Sequence, residues 1–407
     1  MSTLRLAARN IVRQPVRSAI SLSAIIFGVI SLLLSGGFIE WIFFAMREST
    51  VQSRLGHIQV AKSGYFAQGQ ADLSSFVLAD QAPELSVIGS NPEVRVITPR
   101  LTFGGLSTHG ETTVSFIGEG VDPEKEEKVS RFLFIVAGQG LSSTDPKGTI
   151  LGEGLAANLG VKVGDPIVLL ITTPAGSINA VEARVRGLFY TLSKQFDDAA
   201  IRLPIGLARE LLRTAGANLW IVLLDQTEIT EKVLARLKKE FPEGTSAIEF
   251  RPWSDLADFY NKTVALYSRQ MFVLKIIIGL IIVLSIANTM TMNVLERTGE
   301  IGTLMALGIK GKGIMRLFIT EGFILGLIGG LIGLFVGVLL ALIISSYGIP
   351  MPPAPGMSRG FSGEIRLTWV LSTNAFLIAI STSLLASLYP AWKASRLNIV
   401  DALRHNR

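Results

Sequence analysis

The sequence predicts an α-helical membrane protein with four transmembrane helices and a large α+β extracytoplasmic domain inserted between the first and second helices. The first observation is composition: 49% of the 407 residues are hydrophobic, 17% are charged and the mean hydropathy is +0.47. A soluble domain usually has about a quarter of its residues charged. The second observation is four apolar stretches, each longer than the ~20 residues that cross a bilayer. They cover 18–44, 271–293, 317–347 and 367–392.

The spacing of these stretches divides the chain into membrane and water-soluble parts. Residues 47–270 carry 23 Lys and Arg and 26 Asp and Glu, a charge density typical of a soluble domain that is large enough to bury its own core. The predicted segments are a leader at 1–17, a first span at 18–46, the insert at 47–270, a second span at 271–293, a loop at 294–313, a third span at 314–347, a proline-rich loop at 348–366, a fourth span at 367–392 and a tail at 393–407.

The positive charges predict the orientation of the chain. The net charge is +6, yet the insert contributes −3, so the remaining residues carry +9. The basic residues cluster in the leader, the 294–313 loop and the tail, and these regions face the cytoplasm by the positive-inside rule. We therefore expect both termini inside and the insert outside. Because the charges follow the membrane boundary, we expect no nucleic acid partner.

The leader has the pattern of an amphipathic helix lying on the inner membrane surface. Arg5, Arg9 and Arg13 recur every four residues between apolar positions, and Pro15 predicts a bend into the first span. Charges that serve only to set topology are the alternative. The first apolar stretch is too long for the core of a cleaved signal, so we expect it to remain as an anchor.

Two features stand out within the spans. Glu321 lies near the inner end of the third span, where an unpaired acid is costly, so we expect a partner such as Arg316 or Arg17, or a contact with another subunit. Glycines of the same span recur every four residues and predict close packing on another span, in this chain or in a second copy. These glycines are Gly322, Gly326 and Gly330, and Gly329, Gly333 and Gly337.

The loop after the second span has a short helical period from 296 to 307, and Gly308 is a plausible stop. One face is apolar and the other is charged. The pattern favours docking on a soluble partner about as well as a simple interfacial loop. The apolar face is formed by Ile301, Leu304, Met305 and Leu307, and the charged face by Glu296, Arg297 and Glu300.

The insert mixes strand and helix patterns, and two lobes with a break at 138–147 are one arrangement that fits them. Strands are predicted at 57–60, 112–117, 166–172, 180–185 and 219–224, and helices at 207–214 and 230–241. The apolar run at 132–136 is expected to pack in a core, with substrate contact as the alternative. The outer loop offers Pro350, Met351, Pro352 and Pro353 as substrate contacts, because an exposed stiff apolar loop needs a partner.

We expect no catalytic residue and no metal site. His57, His109 and His405 are scattered, and the Asp197-Asp198 pair is expected on a solvated surface. The chain has no cysteine and no Gly-x-x-x-x-Gly-Lys-Ser/Thr phosphate loop.

Three motifs resemble one family of membrane proteins. ERTGEIGTLMALG at 296–308, ITEGFILGLIGGLIGLFVG at 319–337 and YPAWKASRLNIVDALR at 389–404 are similar to the FtsX/MacB-type permeases of ABC transporters. ILGEGLAANLGVKVGDPIVL at 150–169 and VRGLFY at 185–190 resemble the periplasmic domain of MacB and of LolC/LolE lipoprotein-releasing permeases, and GHIQVAKSGYF at 56–66 is closer to the latter branch.

This resemblance implies a non-catalytic permease subunit of a bacterial inner membrane. It implies two separate ABC ATPase subunits that bind ATP and Mg, with no cofactor in this chain, and a second permease copy or paralogue. The resemblance places a coupling helix at 296–308, where Glu296, Arg297, Glu300, Ile301 and Gly302 would contact the ATPase. The resemblance also leaves room for a periplasmic adaptor or lipoprotein carrier.

The function implied is mechanotransmission, in which ATP hydrolysis drives extraction or export of a lipoprotein, lipid or other amphipathic substrate from the outer leaflet. An FtsX-like regulator that activates an outer partner such as a cell-wall hydrolase is one alternative. MacB-like tripartite efflux of small molecules or peptides is another.

Overall fold

The computed structural model describes residues 3–68, 76–173, 176–242, 246–353 and 359–398, and it contains two compact units. The membrane domain comprises residues 1–43, 263–350 and 362–407. The insert domain comprises residues 44–262 and 351–361. The N-terminal two residues, the last nine residues of the tail (including His405) and 354–358 of the proline-rich loop lie outside the described residues.

The described residues form helices and strands in both units. The helices are α1 Thr3–Arg13, α2 Pro15–Thr50, α3 Tyr65–Gln68, α4 Pro83–Gly89, α5 Pro123–Val129, α6 Glu153–Leu159, α7 Lys194–Asp197, α8 Ile205–Leu212, α9 Thr230–Glu240, α10 Trp253–Leu256, α11 Asp258–Glu296, α12 Thr298–Ala306, α13 Gly311–Tyr347 and α14 Trp369–Ser395. The strands are β1 Ile58–Lys62, β2 Val94–His109, β3 Thr112–Val121, β4 Phe134–Gly138, β5 Gly148–Gly152, β6 Pro166–Thr172, β7 Ile178–Tyr190, β8 Ala200–Pro204, β9 Leu219–Leu224, β10 Ile248–Pro252, β11 Ile349–Met351 and β12 Phe361–Gly363.

Four helices are long and apolar enough to cross a membrane: α2, α11, α13 and α14. They contain 36, 39, 37 and 27 residues, and α2 continues through a π-helical turn at Val51–Leu55. Helix α11 begins at Asp258, well before the apolar stretch that starts at 271. Hydropathy does not detect this first part of the helix, because its residues are polar.

The glycines of α13 bring two other helices into contact with it. A Cβ at Gly322, Gly326 or Gly330 would lie within 3 Å of Ser387, Ser383 or Phe376 of α14. The second series contacts α2 instead: a Cβ at Gly329, Gly333 or Gly337 would lie 2.6–2.9 Å from Ile25, Val29 or Leu33. These close approaches are all made within one chain. The small residues therefore allow α13 to pack tightly between α2 and α14.

The insert domain is built on one ten-stranded sheet whose larger part closes on itself. The pairs β2–β3, β3–β8, β8–β5, β5–β7, β7–β6 and β6–β2 form a ring of six strands. Gly105 of β2 permits the closure, since a Cβ there would lie 2.6 Å from the Leu170 carbonyl oxygen of β6. The ring encloses a core that includes Phe103, Leu151 and Leu203.

The sheet extends from β2 through β9 and β1 to β10. Helices α4 and α9 cover this extension and form a second core that includes Ile58, Trp220 and Leu237. The predicted break between two lobes at 138–147 is therefore wrong. That segment lies between β4 and β5 on the ring side, and the two cores meet instead along β2, which pairs with β9 in its first half and with β3 and β6 in its second.

The predicted strands at 166–172 and 219–224 coincide with β6 and β9. The predicted helices at 207–214 and 230–241 correspond to α8 and α9. The expectation that 132–136 packs in a core is wrong. Phe134, Ile135 and Val136 are each 38–40% exposed, because β4 is the last strand of the sheet.

We predict that Gly333→Leu lowers the stability of the membrane domain by about 1–3 kcal/mol, because the new side chain would overlap Val29. Thermal unfolding of the detergent-solubilised chain measures the change. Leu331→Phe is the matched control, since Leu331 is 53% exposed on the same helix. Equal stability of the two variants would contradict the packing described here.

Candidate functional site

The segment 296–308 forms the end of α11 and the short helix α12. Gly308 ends this helix with a φ of 95°, a backbone conformation that glycine adopts at little cost. Ile301 is 2% exposed and packs with Phe318 of α13 and Ala391 of α14. The segment is thus attached to the spanning helices through its apolar face.

The charged residues of the segment bind the leader. The guanidinium of Arg17 donates a hydrogen bond to the Glu296 carboxylate, and Arg13 Nη2 lies 3.3 Å from Glu300 Oε1. Arg297 lies between α11 and α12, and its Nε donates to Glu300 Oε2 at 3.1 Å. Ion pairs between basic residues of the leader and acidic residues of the segment therefore link the two.

Glu321 completes this network from α13. It is 2% exposed, and its Oε1 accepts hydrogen bonds from Asn10 Nδ2 at 2.6 Å and from Arg297 Nη1 at 3.4 Å. The predicted partners Arg316 and Arg17 are wrong. The acid instead joins α1 and the 296–308 segment to the third span, which satisfies its charge at a buried position.

These contacts correct the predicted docking face. Ile301 and Gly302 are buried, and the side chain of Arg297 is 12% exposed, so none of the three presents a docking surface. The exposed end of the segment is Leu307, at 78% exposure, followed by Gly308. Glu296 and Glu300 are half-exposed, and Leu304 is partly buried against the same core as Ile301.

A second polar site lies in the insert domain, at the end of α2. A helix leaves its last four carbonyls without partners in the helix itself. Here every one of these carbonyls, from Gln52 to Leu55, is bound by a group of the insert domain. The donors are Phe132 N for Gln52 at 3.3 Å, Arg202 Nη2 for Ser53 at 2.6 Å, Arg100 Nη1 for Arg54 and Gln59 Nε2 for Leu55 at 3.1 Å.

The two arginines belong to a buried group of four charges. Arg202 Nε donates to Glu119 Oε2 at 2.8 Å, and Arg100 Nη2 donates to Glu126 Oε1 at 2.5 Å. Ser130 Oγ joins the pairs by donating to Glu126 and accepting from Arg202 Nη1 at 2.7 Å. Burial alone would raise the pKa of Glu119 and Glu126, but the adjacent guanidinium groups hold both below the ordinary value.

A hydrogen-bonded chain connects α2 to the insert domain nearby. Thr227 Oγ1 donates to Glu48 Oε1 at 2.9 Å and lies 3.0 Å from His57 Nε2. His57 Nδ1 accepts from the Leu224 amide at 3.0 Å, so the proton of the neutral ring is on Nε2 and points to Thr227. Burial lowers the pKa of His57 to about 4.

The four predicted substrate contacts of the outer loop lie within the described residues, and their contact with a substrate stays a prediction. Pro350, Pro352 and Pro353 are exposed, and Met351 is half-buried in β11. Within the insert domain, Arg359 of this loop lies over the ring of Tyr190 at 4.5 Å and 3.3 Å from the Glu153 carboxylate.

Among the described residues, no group of three His, Asp or Glu side chains could hold a metal ion. The prediction of a solvated Asp197 is wrong: it is 2% exposed, and the amide and hydroxyl of Thr191 donate to it. Burial raises the pKa of Asp197 to about 6.

Two family models match the chain. Residues 18–240 match the MacB-like periplasmic core domain, and residues 272–399 match the FtsX-like permease C-terminal region. The first match alone covers more than half of the chain. The chain belongs to the FtsX/MacB family of ABC transporter permeases.

Curated relatives agree with this family. The permease is 26% identical over 331 residues to the lipoprotein-releasing system transmembrane protein LolE of Haemophilus influenzae, covering 77% of this chain and 78% of the relative. It is also 26% identical to LolC of Xylella fastidiosa, covering 78% and 79%. The solved periplasmic region of MacB from Actinobacillus actinomycetemcomitans is 11% identical, the match covers 51% of this chain and 94% of that chain, and the TM-score is 0.36.

Sequence reasoning missed the four buried charges of the permease. A signal was present, because Arg202 stands alone in the strand AIRLP and Glu119 in the run IGEGV. A single charge among apolar strand residues is typical of a buried ion pair. Its partners, however, come from distant parts of the chain.

We predict that Arg17→Glu lowers ATP turnover by the assembled transporter by about fivefold, and that adding Glu296→Arg restores it to within about twofold, because the swap restores the ion pair. Arg9→Glu is the matched control, since no acidic side chain among the described residues forms an ion pair with Arg9. A double variant no better than Arg17→Glu would show that the ion pair itself is unimportant.

We predict that His57 contributes to the stability of the insert domain and that this contribution is lost as the pH falls from about 6.5 to about 4. The contribution is measured as the difference between the parent and His57→Gln, because Asp197, with a pKa raised to about 6, acts in the opposite direction over part of this range. His57 binds a proton in the unfolded chain over this range but not in the folded one, so its contribution of up to about 3 kcal/mol is lost. Urea unfolding followed by circular dichroism measures it. His57→Gln should remove this part of the pH dependence, and an unchanged pH profile would contradict the assignment.

Proposed function

We propose that this permease works by mechanotransmission, with ATP hydrolysis by separate ATPase subunits moving the insert domain through the spanning helices. One observation carries the proposal: α2 binds functional segments at both of its ends. Near its start Arg17 pairs with Glu296 of the 296–308 segment. At its end the carbonyls from Gln52 to Leu55 are bound by the insert domain. A continuous helix with both ends attached can transmit a displacement along its axis.

The 296–308 segment is the proposed site of contact with the ATPase. Leu307 is an apolar side chain at 78% exposure beside the charged loop, and such a residue is stabilised when a partner covers it. ATP and Mg belong to the partner, and this chain supplies no catalytic group. The distribution of positive charge supports a cytoplasmic location for both termini and for this segment, with the insert domain in the periplasm.

The proposed substrate is a lipoprotein, or another lipid-anchored or amphipathic molecule, extracted from the outer leaflet of the inner membrane. The names of the LolE and LolC relatives support this class, and their matches extend over more than three quarters of each protein. We propose two ATPase subunits and a second permease copy or paralogue in the working complex. A periplasmic lipoprotein carrier is a further proposed partner.

Reconstitution with the cognate ATPase in proteoliposomes tests the substrate class. We expect ATP-dependent release of a lipoprotein into solution when an acceptor protein is present. Stoichiometric binding of a cell-wall hydrolase with no release would favour the FtsX-like regulator. Transport of small molecules or peptides without lipoprotein release would favour MacB-like efflux. Either result would overturn the extraction proposal.

We predict that Leu307→Asp lowers permease-stimulated ATP turnover by at least about tenfold, because a charge replaces the apolar contact at the centre of the proposed interface. Turnover is measured in the purified complex. Ile178→Asp is the matched control, since Ile178 is 77% exposed in the insert domain. Turnover that is equally affected in both variants, or in neither, would refute the assignment of Leu307.

A further inference from the structure

We infer that the four buried charges Arg100, Glu119, Glu126 and Arg202 form a helix-end joint, the part of the insert domain that receives movement from α2. The inference rests on the proposed mechanotransmission and adds to it the residues at which force enters the insert domain. None of the four side chains touches substrate or nucleotide in this mechanism. They are positioning residues that act through the backbone of α2.

The first argument is the chemistry at the helix end. The carbonyl end of a helix carries partial negative charge and attracts cations. Arg202 and Arg100 bind the Ser53 and Arg54 carbonyls directly, within the π-helical turn that ends α2. Such turns often occur at functional places in helices, where the usual hydrogen-bond pattern changes. The joint therefore binds backbone atoms, which cannot change rotamer when the helix is pulled.

The second argument is burial. Arg202 is fully buried, and Glu119, Arg100 and Glu126 are 1%, 2% and 4% exposed. Removing four charges from water is costly, and buried ion pairs often stabilise a fold no better than apolar residues of similar volume. Stability alone therefore explains poorly why four charges are buried here. A specific explanation is that they fix the position and direction of the helix end, since guanidinium groups donate hydrogen bonds in a fixed planar geometry.

The third argument is the placement of the charges in the sheet. Arg100, Glu119 and Arg202 lie on β2, β3 and β8, which are three adjacent strands of the ring. Arg100 is also the residue at which β2 changes partner, because it is in register with Leu219 of β9 and with Val121 of β3. A displacement of the helix end that moves Arg100 thus reaches both the ring and its extension through one strand, β2.

The double variant Arg202→Met with Glu119→Met tests the joint in the full chain, assembled with its ATPase. It removes the Arg202–Glu119 ion pair, the longer contacts of these two side chains with Arg54, Arg100 and Glu126, and the Arg202 hydrogen bond to the Ser53 carbonyl. The Arg100–Glu126 pair stays in place. The matched control is Arg236→Met with Glu93→Met, another ion pair of the insert domain, at 2.6 Å and away from the end of α2. Resistance to proteolysis verifies that each insert domain is folded.

Movement is measured by the distance between spin labels at Tyr347→Cys, at the end of α13, and Glu182→Cys, on β7. The chain has no cysteine of its own, so each copy carries labels at these two positions alone. Distances are compared without nucleotide and with ATP and vanadate. For the joint variant we expect ATP turnover within about twofold of the parent, with the nucleotide-dependent change in distance and the rate of substrate release each reduced at least about fivefold. The control should match the parent in all three measurements.

The outcomes separate the joint from the function on which it rests. If the parent shows no nucleotide-dependent change in distance, mechanotransmission fails and the joint fails with it. If the parent responds and the joint variant responds equally, the joint alone is overturned. Arg202→Lys serves if the double variant does not fold, since it keeps the charge but loses the planar donors. This variant should also keep its ATP turnover while the nucleotide-dependent change in distance is reduced. Loss of both ATP turnover and the change in distance would assign Arg202 a purely structural role.

Discussion

Within the hydrocarbon of a bilayer each backbone N–H and C=O must find its partner in its own helix, and this constraint determines where the permease can form specific polar contacts. In the interiors of α2, α11, α13 and α14 the backbone N–H and C=O groups are paired in this way. Backbone groups without a partner in the helix are left at the ends. The Arg17–Glu296 ion pair lies near one end of α2, and the carbonyls bound by the insert domain lie at the other.

The charged motif between the second and third spans is fixed by ion pairs within its own chain. Its acids bind the leader, and Arg297 binds Glu321. The physical reason is that a short helix with nine residues has little intrinsic stability and must be fixed by its neighbours. The charges hold the helix in place, and the apolar Leu307 is left facing outward.

Features with a local pattern could be predicted from the sequence, whereas those with distant partners could not. The spans, the glycine series of α13 and the strands β6 and β9 follow from hydropathy, spacing and alternation within a few residues. The start of α11 at Asp258 was missed because its first turns are polar. Glu321 needed a partner by its chemistry, but Asn10 lies 311 positions away in sequence, and no local rule selects it. The buried charges likewise depend on the pairing of β2, β3 and β8.

The pairing of the first and last strands of the insert domain determines the order in which it can be completed during synthesis. Every strand of the ring has left the ribosome once Pro204 has emerged, so that core can close early. The other core must wait, because β1 near the start of the insert pairs with β9 and β10 near its end. Until then β1 has an unpaired edge, close to a membrane helix that is already made. A nascent chain of this permease therefore has a period in which one half of the insert is folded and the other is open to misassembly.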